Sequence, residues 1–171
     1  MNTERTWLSR GPDETMALGA VLATSLFPGQ AVGLIGELGA GKTVLIKGLC
    51  SALGIREAEV HSPTYTLVHH YLGGSLEVFH ADLFRLNGEA ECNELELLPP
   101  PEHAIAVLEW IDRIGPGLEK RVDFIITLAI LDETEREVRL WSRSELPGPL
   151  RTFLSEQGDH IGARARTRLA G

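Results

Sequence analysis

Apolar positions along this chain recur with two periods, and the period switches several times. Leu18, Val21, Leu22 and Leu26 fall on one face at helical spacing, which predicts a helix from Pro12 or Asp13 to about Leu26. Pro28-Gly29 turns the chain, and Ala31-Val32-Gly33-Leu34-Ile35 is a short apolar run fit for a buried strand. From Val44 to Leu53 the apolar positions 45, 46, 49 and 53 share a helical face, with Gly54 where a helix C-cap belongs. The second half of the segment from His61 to Tyr71 alternates like a strand. Gly73-Gly74 is a hairpin signal, and Leu76 to His80 reads as the returning strand. A helical stretch from Glu89 to Leu98 ends at Pro99-Pro100-Pro101. Ala104-Ile105-Ala106-Val107-Leu108 is almost continuously apolar, as in a central strand buried on both faces. Val122 to Leu131 and Glu137 to Trp141 form two more strands around the turn Asp132-Glu133-Thr134-Glu135. Pro149 to Gln157 forms a last short helix. Helices alternating with strands predict an α/β fold with a mixed, mainly parallel sheet flanked by helices.

The length of 171 residues suits one domain with a real core. Residues 1–148 are expected to form that domain, and 149–171 a C-terminal helix and basic tail of unread role. The formal charge of −8 argues against non-specific nucleic-acid binding by the whole surface. The tail Arg164-Ala165-Arg166-Thr167-Arg168 is a local exception, more simply read as a frayed basic terminus. No apolar run approaches membrane-spanning length, and Met1 to Trp7 lacks the apolar core of a signal peptide, so a cytoplasmic location is expected. Cys50 and Cys92 have no metal-binding spacing, and Cys50 reads as a packed, reduced thiol.

Between the first strand and the helix after it runs Gly36-Glu37-Leu38-Gly39-Ala40-Gly41-Lys42-Thr43, which fits G-x-x-x-x-G-K-[ST] at every fixed position. The chemistry explains the residue types. Gly36, Gly39 and Gly41 allow the backbone to wrap a phosphate, and loop amides with the helix N-terminus form an anion nest. Lys42 is placed to reach the β- and γ-phosphates, and the Thr43 hydroxyl to ligate Mg²⁺. This predicts a P-loop nucleotide site. Two acids stand where such a site needs them: Asp82 after the strand that includes Val78-Phe79-His80, and Glu109 at the end of Ile105 to Leu108. Ligands of parallel α/β sheets gather outside the carboxyl ends of the strands, where a carboxylate can hold Mg²⁺ or orient water. Ser62-Pro63-Thr64-Tyr65-Thr66 lies one crossover beyond the helix, where other nucleotide switches place a phosphate-sensing threonine, although a polar turn entering a strand accounts for it equally well.

Taken together, the glycine loop, Ser62-Pro63-Thr64-Tyr65-Thr66-Leu67-Val68, His80-Ala81-Asp82-Leu83-Phe84-Arg85-Leu86 and Leu108-Glu109-Trp110 resemble the TsaE (YjeE) family, with order and spacing kept from about Asp13 to Trp141. The resemblance implies a single-domain P-loop NTPase fold and weak Mg²⁺-dependent ATP hydrolysis, with ATP or ADP and Mg²⁺ as ligands. It implies a role in forming threonylcarbamoyladenosine at adenosine 37 of tRNA, through action on a TsaB–TsaD heterodimer. Contact with tRNA is then only indirect, through that complex. It makes Lys42 the phosphate lysine, Thr43 a Mg²⁺ ligand, Asp82 the Walker B-like acid and Glu109 the acid of a Glu-Trp motif that binds Mg²⁺. Trp110 would lie beside the nucleotide, with Thr15 near it and Thr64 as the switch-like threonine. Glu37, Leu38, Gly39, Ala40 and Gly41 complete the nucleotide-binding set. Catalysis falls to Lys42, Asp82 and Glu109. Which acid positions the water stays open. Two positions depart from the family pattern: Ile111 stands where a proline is usual, and Phe84 replaces a tyrosine.

Two rival readings use the same loop. Asp112-Arg113-Ile114-Gly115 fits the D-x-x-G pattern of a small GTPase switch, but the chain has no N-K-x-D guanine-reading motif. A small-metabolite kinase needs a cluster of arginines in a lid, whereas Arg85, Arg113 and Arg121 are scattered. A third reading is a nucleotide-gated interaction module with hydrolysis nearly silent. His69 and His70 occupy adjacent strand positions that point to opposite faces and are poorly placed to share a metal. His80, two residues from Asp82, can face the site, but reads first as a packed or hydrogen-bonded histidine. Trp7 and Trp141 read as packing residues.

Overall fold

The computed structural model describes residues 3–157; the basic tail lies outside them. In chain order the elements are β1 (Thr3–Ser9), α1 (Pro12–Ala23), β2 (Ala31–Ile35), α2 (Lys42–Ala52), β3 (Val68–Tyr71), β4 (Glu77–Asp82), α3 (Glu89–Glu94), β5 (Ala104–Glu109), α4 (Pro116–Glu119), β6 (Phe124–Ile130), β7 (Arg136–Ser142) and α5 (Gly148–Gln157), with 3-10 turns at Glu57–Glu59 and Ile111–Arg113. All seven strands form one mixed sheet in the order β1-β7-β6-β2-β5-β4-β3. The four central strands, β6, β2, β5 and β4, pair in parallel, while β3, β7 and β1 are antiparallel margins.

The apolar runs of β2 and β5 are continuous because both faces of the sheet are covered. Val32, Leu34, Ile105 and Val107 face a core shared with Leu18 and Leu22 of α1 and Leu45 and Leu49 of α2. Ala31, Ala106 and Leu108 face the opposite core with Leu83, Ile111 and Leu118. Such residues cannot alternate polar and apolar, since neither face meets water. Leu150 and Leu154 of α5 belong to the first core, and Phe153 meets Trp7 edge-on at 5.4 Å between ring centroids.

Several boundaries differ from the sequence expectation. β1 was not anticipated: only Trp7 and Leu8 of its residues are apolar, and its partner β7 is far along the chain. The first helix stops at Ala23 rather than Leu26, although Leu26 is still buried. α3 ends at Glu94 rather than Leu98, and Glu96 follows with a left-handed φ of 53°. β4 runs through Asp82, so this acid is the last residue of the strand rather than a residue after it.

Candidate functional site

Four stretches meet at the carboxyl ends of the parallel strands: the loop after β2, the segment before β3, the end of β4 and the end of β5. The loop after β2 has left-handed backbone where an ordinary side chain is disfavoured, with φ of 80° at Gly39 and 105° at Gly41. Gly36 is excluded from larger residues by space as well, because a Cβ there would lie 2.6 Å from the Leu128 carbonyl oxygen. Gly41 caps α2, whose first-turn amides therefore point into the loop. Glu37, Leu38 and Gly39 are exposed on the loop, Ala40 is buried under it, and Thr43 is half-buried.

Lys42 folds back into this loop. Its ammonium donates to the carbonyl oxygens of Gly36 at 2.6 Å and Glu37 at 3.1 Å, and lies 3.8 Å from the centroid of the Trp110 ring. Burial lowers its pKa from the usual lysine value, against the opposing pull of the Glu109, Asp82, Asp112 and Glu37 carboxylates. An incoming polyphosphate would supply the negative charge that this desolvated cation lacks.

Asp82 and Glu109 are direct register partners on β4 and β5. Partner residues on parallel strands share a face, so the two buried carboxylates stand side by side on the face that α2 covers. Their partners differ. Asp82 accepts the Thr64 hydroxyl at 2.9 Å and the Ser62 hydroxyl at 3.4 Å on Oδ2, and the Phe84 amide at 2.9 Å on Oδ1. Glu109 receives His80 Nε2 on Oε1 at 2.8 Å, and its Oε2 takes no hydrogen bond among the described residues. That half-engaged carboxylate, with the Thr43 hydroxyl, offers the hard oxygen donors that suit Mg²⁺.

Trp110 follows Glu109 with a left-handed φ of 64°, which turns the chain off the strand into the 3-10 turn. Its indole meets Phe84 edge-on at 5.0 Å, and Arg113 lies 4.3 Å over the Phe84 ring. Ile111, where the resembled family has proline, is fully buried against β2, and a Cβ on Gly33 would come within 2.3 Å of its Cδ1. The turn is thus held by side-chain packing at this position. Phe84 keeps a ring in the place of the expected tyrosine.

Thr15 is buried where α1 begins, sharing a 2.8 Å hydrogen bond with the Ser9 hydroxyl. It lines a cavity of about 300 Å³ together with Gly11, Pro12, Gly39, Gly41, Thr134 and Arg136. Arg136 was not singled out from the sequence. Its guanidinium bonds the carbonyl oxygens of Ala40 at 3.2 Å and Gly39 at 3.4 Å, and so ties β7 to the glycine loop. No local pattern could reveal a contact that spans 96 residues.

The remaining candidates lie at the margin of this centre or serve other contacts. Asp112 and Gly115 of the D-x-x-G match sit on the 3-10 turn and before α4. Arg121 is committed to Asn93 and the Leu98 carbonyl oxygen. His69 faces the Tyr71 hydroxyl at 3.2 Å, whereas His70 pairs with Glu77 at 2.7 Å and stacks on Phe79. Among the described residues, no helix is long and apolar enough to cross a membrane.

The sequence model of the family described as threonylcarbamoyl adenosine biosynthesis protein TsaE matches residues 9–138. The tRNA threonylcarbamoyladenosine biosynthesis protein TsaE of Bacillus subtilis is 35% identical over 130 residues, which cover 75% of this chain and 81% of that protein. The protein of the same name from Streptomyces coelicolor is 40% identical over 126 residues, covering 71% and 84%. That of Treponema pallidum is 35% identical over 135 residues, covering 77% and 96%. The crystal structure of Bacillus subtilis YdiB superposes with a TM-score of 0.62 over 94% of this chain and 98% of its own, at 24% identity, a likeness of fold.

Proposed function

The chain belongs to the TsaE family of tRNA threonylcarbamoyladenosine biosynthesis, and on that premise we propose that it is a slow, Mg²⁺-dependent ATPase that acts on a TsaB–TsaD transferase through ATP binding and hydrolysis. The observation that carries this reading is the pairing of Asp82 with Glu109 beside a lysine already seated in a glycine loop. A nest that merely held a phosphate would not need two buried acids at its edge.

In this reading the α2 N-terminus and the loop amides bind the β- and γ-phosphates, and Lys42 leaves the Gly36 and Glu37 carbonyls to meet them. Thr43 and Glu109 would hold Mg²⁺, whose chemistry is to draw charge from the transferred phosphoryl group. Asp82 orients the attacking water, and Ser62 and Thr64 fix the direction of its carboxylate. The cavity between Thr15 and Arg136 takes the nucleoside. Trp110 closes the phosphate side. The protein acts in the cytoplasm and meets tRNA only through its partner complex.

Turnover tests this directly. ATP hydrolysis is measured for the chain alone and with the TsaB–TsaD pair, alongside ADP and GDP affinities. Slow hydrolysis that responds to the pair, with ADP bound more tightly than GDP, is the expected result. Tighter GDP binding would favour the GTPase reading. Binding without any turnover in either condition would leave a nucleotide-gated interaction module.

A further inference from the structure

His80 is fully buried, carries a polar ring, and faces no solvent that could satisfy it. Its two nitrogens meet two different partners. Nε2 lies 2.8 Å from Glu109 Oε1, and Nδ1 lies 3.3 Å from the Tyr71 hydroxyl. An ionised carboxylate can only accept, so Nε2 carries the proton of that bond. The ring is thereby fixed in one orientation with Nδ1 toward Tyr71.

Tyr71 is itself anchored. Its hydroxyl accepts from the His61 amide at 3.3 Å, and its one proton is shared between two acceptors, the His61 carbonyl oxygen at 3.0 Å and His80 Nδ1 at 3.3 Å. His61 immediately precedes Ser62 and Thr64, the two hydroxyls that hold Asp82. One continuous chain of hydrogen bonds therefore runs from Glu109 through His80 and Tyr71 to the backbone of the segment that grips the neighbouring acid. β3 and β4 pair His69 with His80 in register, which brings Tyr71, two residues on, to the same side of the sheet as the ring.

We propose that His80 and Tyr71 are positioning residues for the metal-binding carboxylate Glu109. His80 turns Glu109 so that Oε2 is presented to Mg²⁺, and Tyr71 holds the His80 ring in the orientation that does so. Neither residue touches nucleotide. The inference rests on the reading of Glu109 as a Mg²⁺ ligand. Its basis is that partners behind a ligand fix ligand direction, and their loss typically weakens metal binding about 10- to 100-fold.

The test measures the Mg²⁺ concentration giving half-maximal ATP hydrolysis, together with ADP affinity in the presence of a chelator, for His80→Leu, His80→Gln, Tyr71→Phe and Glu109→Ala. Expected are a rise in the Mg²⁺ midpoint of about tenfold or more for His80→Leu, a smaller rise for Tyr71→Phe, and partial rescue by His80→Gln, whose amide can still donate to Glu109. Metal-free ADP affinity should stay near that of the parent in all three, which a merely structural role would not predict. In a Glu109→Ala background, His80→Leu should add nothing to the midpoint.

If Glu109→Ala shifts the midpoint but none of the His80 and Tyr71 variants does, the positioning role is overturned while the metal reading stands. If Glu109→Ala leaves the midpoint unchanged, the metal reading itself fails, and the positioning role with it. Should His80→Leu not fold, Tyr71→Phe decides alone, because it removes one hydroxyl and leaves the ring in the core. An unchanged midpoint in that variant overturns the proposal.

Discussion

Asp82 and Glu109 face each other across neighbouring parallel strands, yet one is engaged through both oxygens and the other through one. Neighbouring carboxylates repel when both are ionised, and the proposed mechanism gives these two different work in keeping with their different partners. Asp82 is braced by Ser62, Thr64 and the Phe84 amide, which in that mechanism fixes its direction for orienting a water molecule. In the proposed mechanism Glu109 offers its other oxygen, Oε2, to the cation.

Alanine at each position should therefore give distinct phenotypes. Asp82→Ala is expected to leave Mg²⁺-nucleotide binding nearly intact and to lower hydrolysis by about 10²-fold or more, the scale of a lost general base. Glu109→Ala is expected to weaken Mg²⁺-dependent binding itself. Equilibrium titration with and without Mg²⁺, run beside single-turnover hydrolysis, distinguishes the two. The reverse pattern would exchange the roles, and full multi-turnover tRNA modification by both variants with TsaB–TsaD would reject the mechanism.

Lys42 supplies an optical handle on the same site. Its ammonium rests on the Trp110 ring and on two loop carbonyls, and in the proposed mechanism polyphosphate draws it away from all three. Trp110 emission should change as nucleotide binds. Lys42→Ala should remove both most of that change and about 10- to 100-fold of the affinity, the range for one hydrogen bond to a charged group, with hydrolysis lost and the fold kept. Undiminished hydrolysis by the folded variant would show that the loop is not the catalytic site.

The parts of this site that were legible in the sequence are those whose chemistry is local. A glycine loop between an apolar run and an amphipathic helix announces itself within about twenty residues, because each glycine serves a backbone angle or a close approach at its own position. Asp82 and Glu109 were visible as acids closing strands, but their adjacency depends on β4 and β5 being neighbours, which only the sheet order reveals. His80 could be read as packed and hydrogen-bonded, not as the residue that holds Glu109. Arg136 gave no signal, since its contact with the loop joins two ends of the chain. β1 was missed for a similar reason: an edge strand with two apolar residues gains its stability from Phe153 and β7, not from its own pattern.

The cysteines offer a test with a defined sign. Burial pushes the Cys50 thiol up from its ordinary 9.0 to about 12, and raises Cys92 in the same direction. The folded state therefore keeps these protons after an unfolded chain would release them. The stabilising contribution of Cys50 is fully present below pH 9 and declines as pH rises from 9 toward 12. Both thiols should resist a disulfide reagent at pH 8 in the native protein and react promptly in denaturant, since the thiolate is the attacking form. Fast stoichiometric labelling of native protein would contradict the buried placement.

The crossing of α1 and α2 depends on two glycines. A Cβ at Gly19 would lie 2.0 Å from the Leu45 carbonyl oxygen, and one at Gly48 would lie 2.0 Å from the Met16 carbonyl oxygen. Each obstacle is backbone, so no rotamer change relieves it, and the helices would have to move apart. The first turn of α2 carries Lys42 and Thr43, so separation of the helices also displaces the proposed phosphate site. Gly19→Ala and Gly48→Ala should each destabilise the protein by about 1–3 kcal/mol or more, the cost of overpacking a tight contact, and should weaken ADP binding in parallel. Gly148→Ala, with nothing within 4 Å of the added carbon, serves as the control and should change stability by no more than about 0.5 kcal/mol. Chemical denaturation with an ADP titration on the same samples checks both effects. If Gly48→Ala kept full stability, the close helix crossing would be wrong. If it lost stability but bound ADP normally, the crossing would stand and its coupling to the phosphate loop would not.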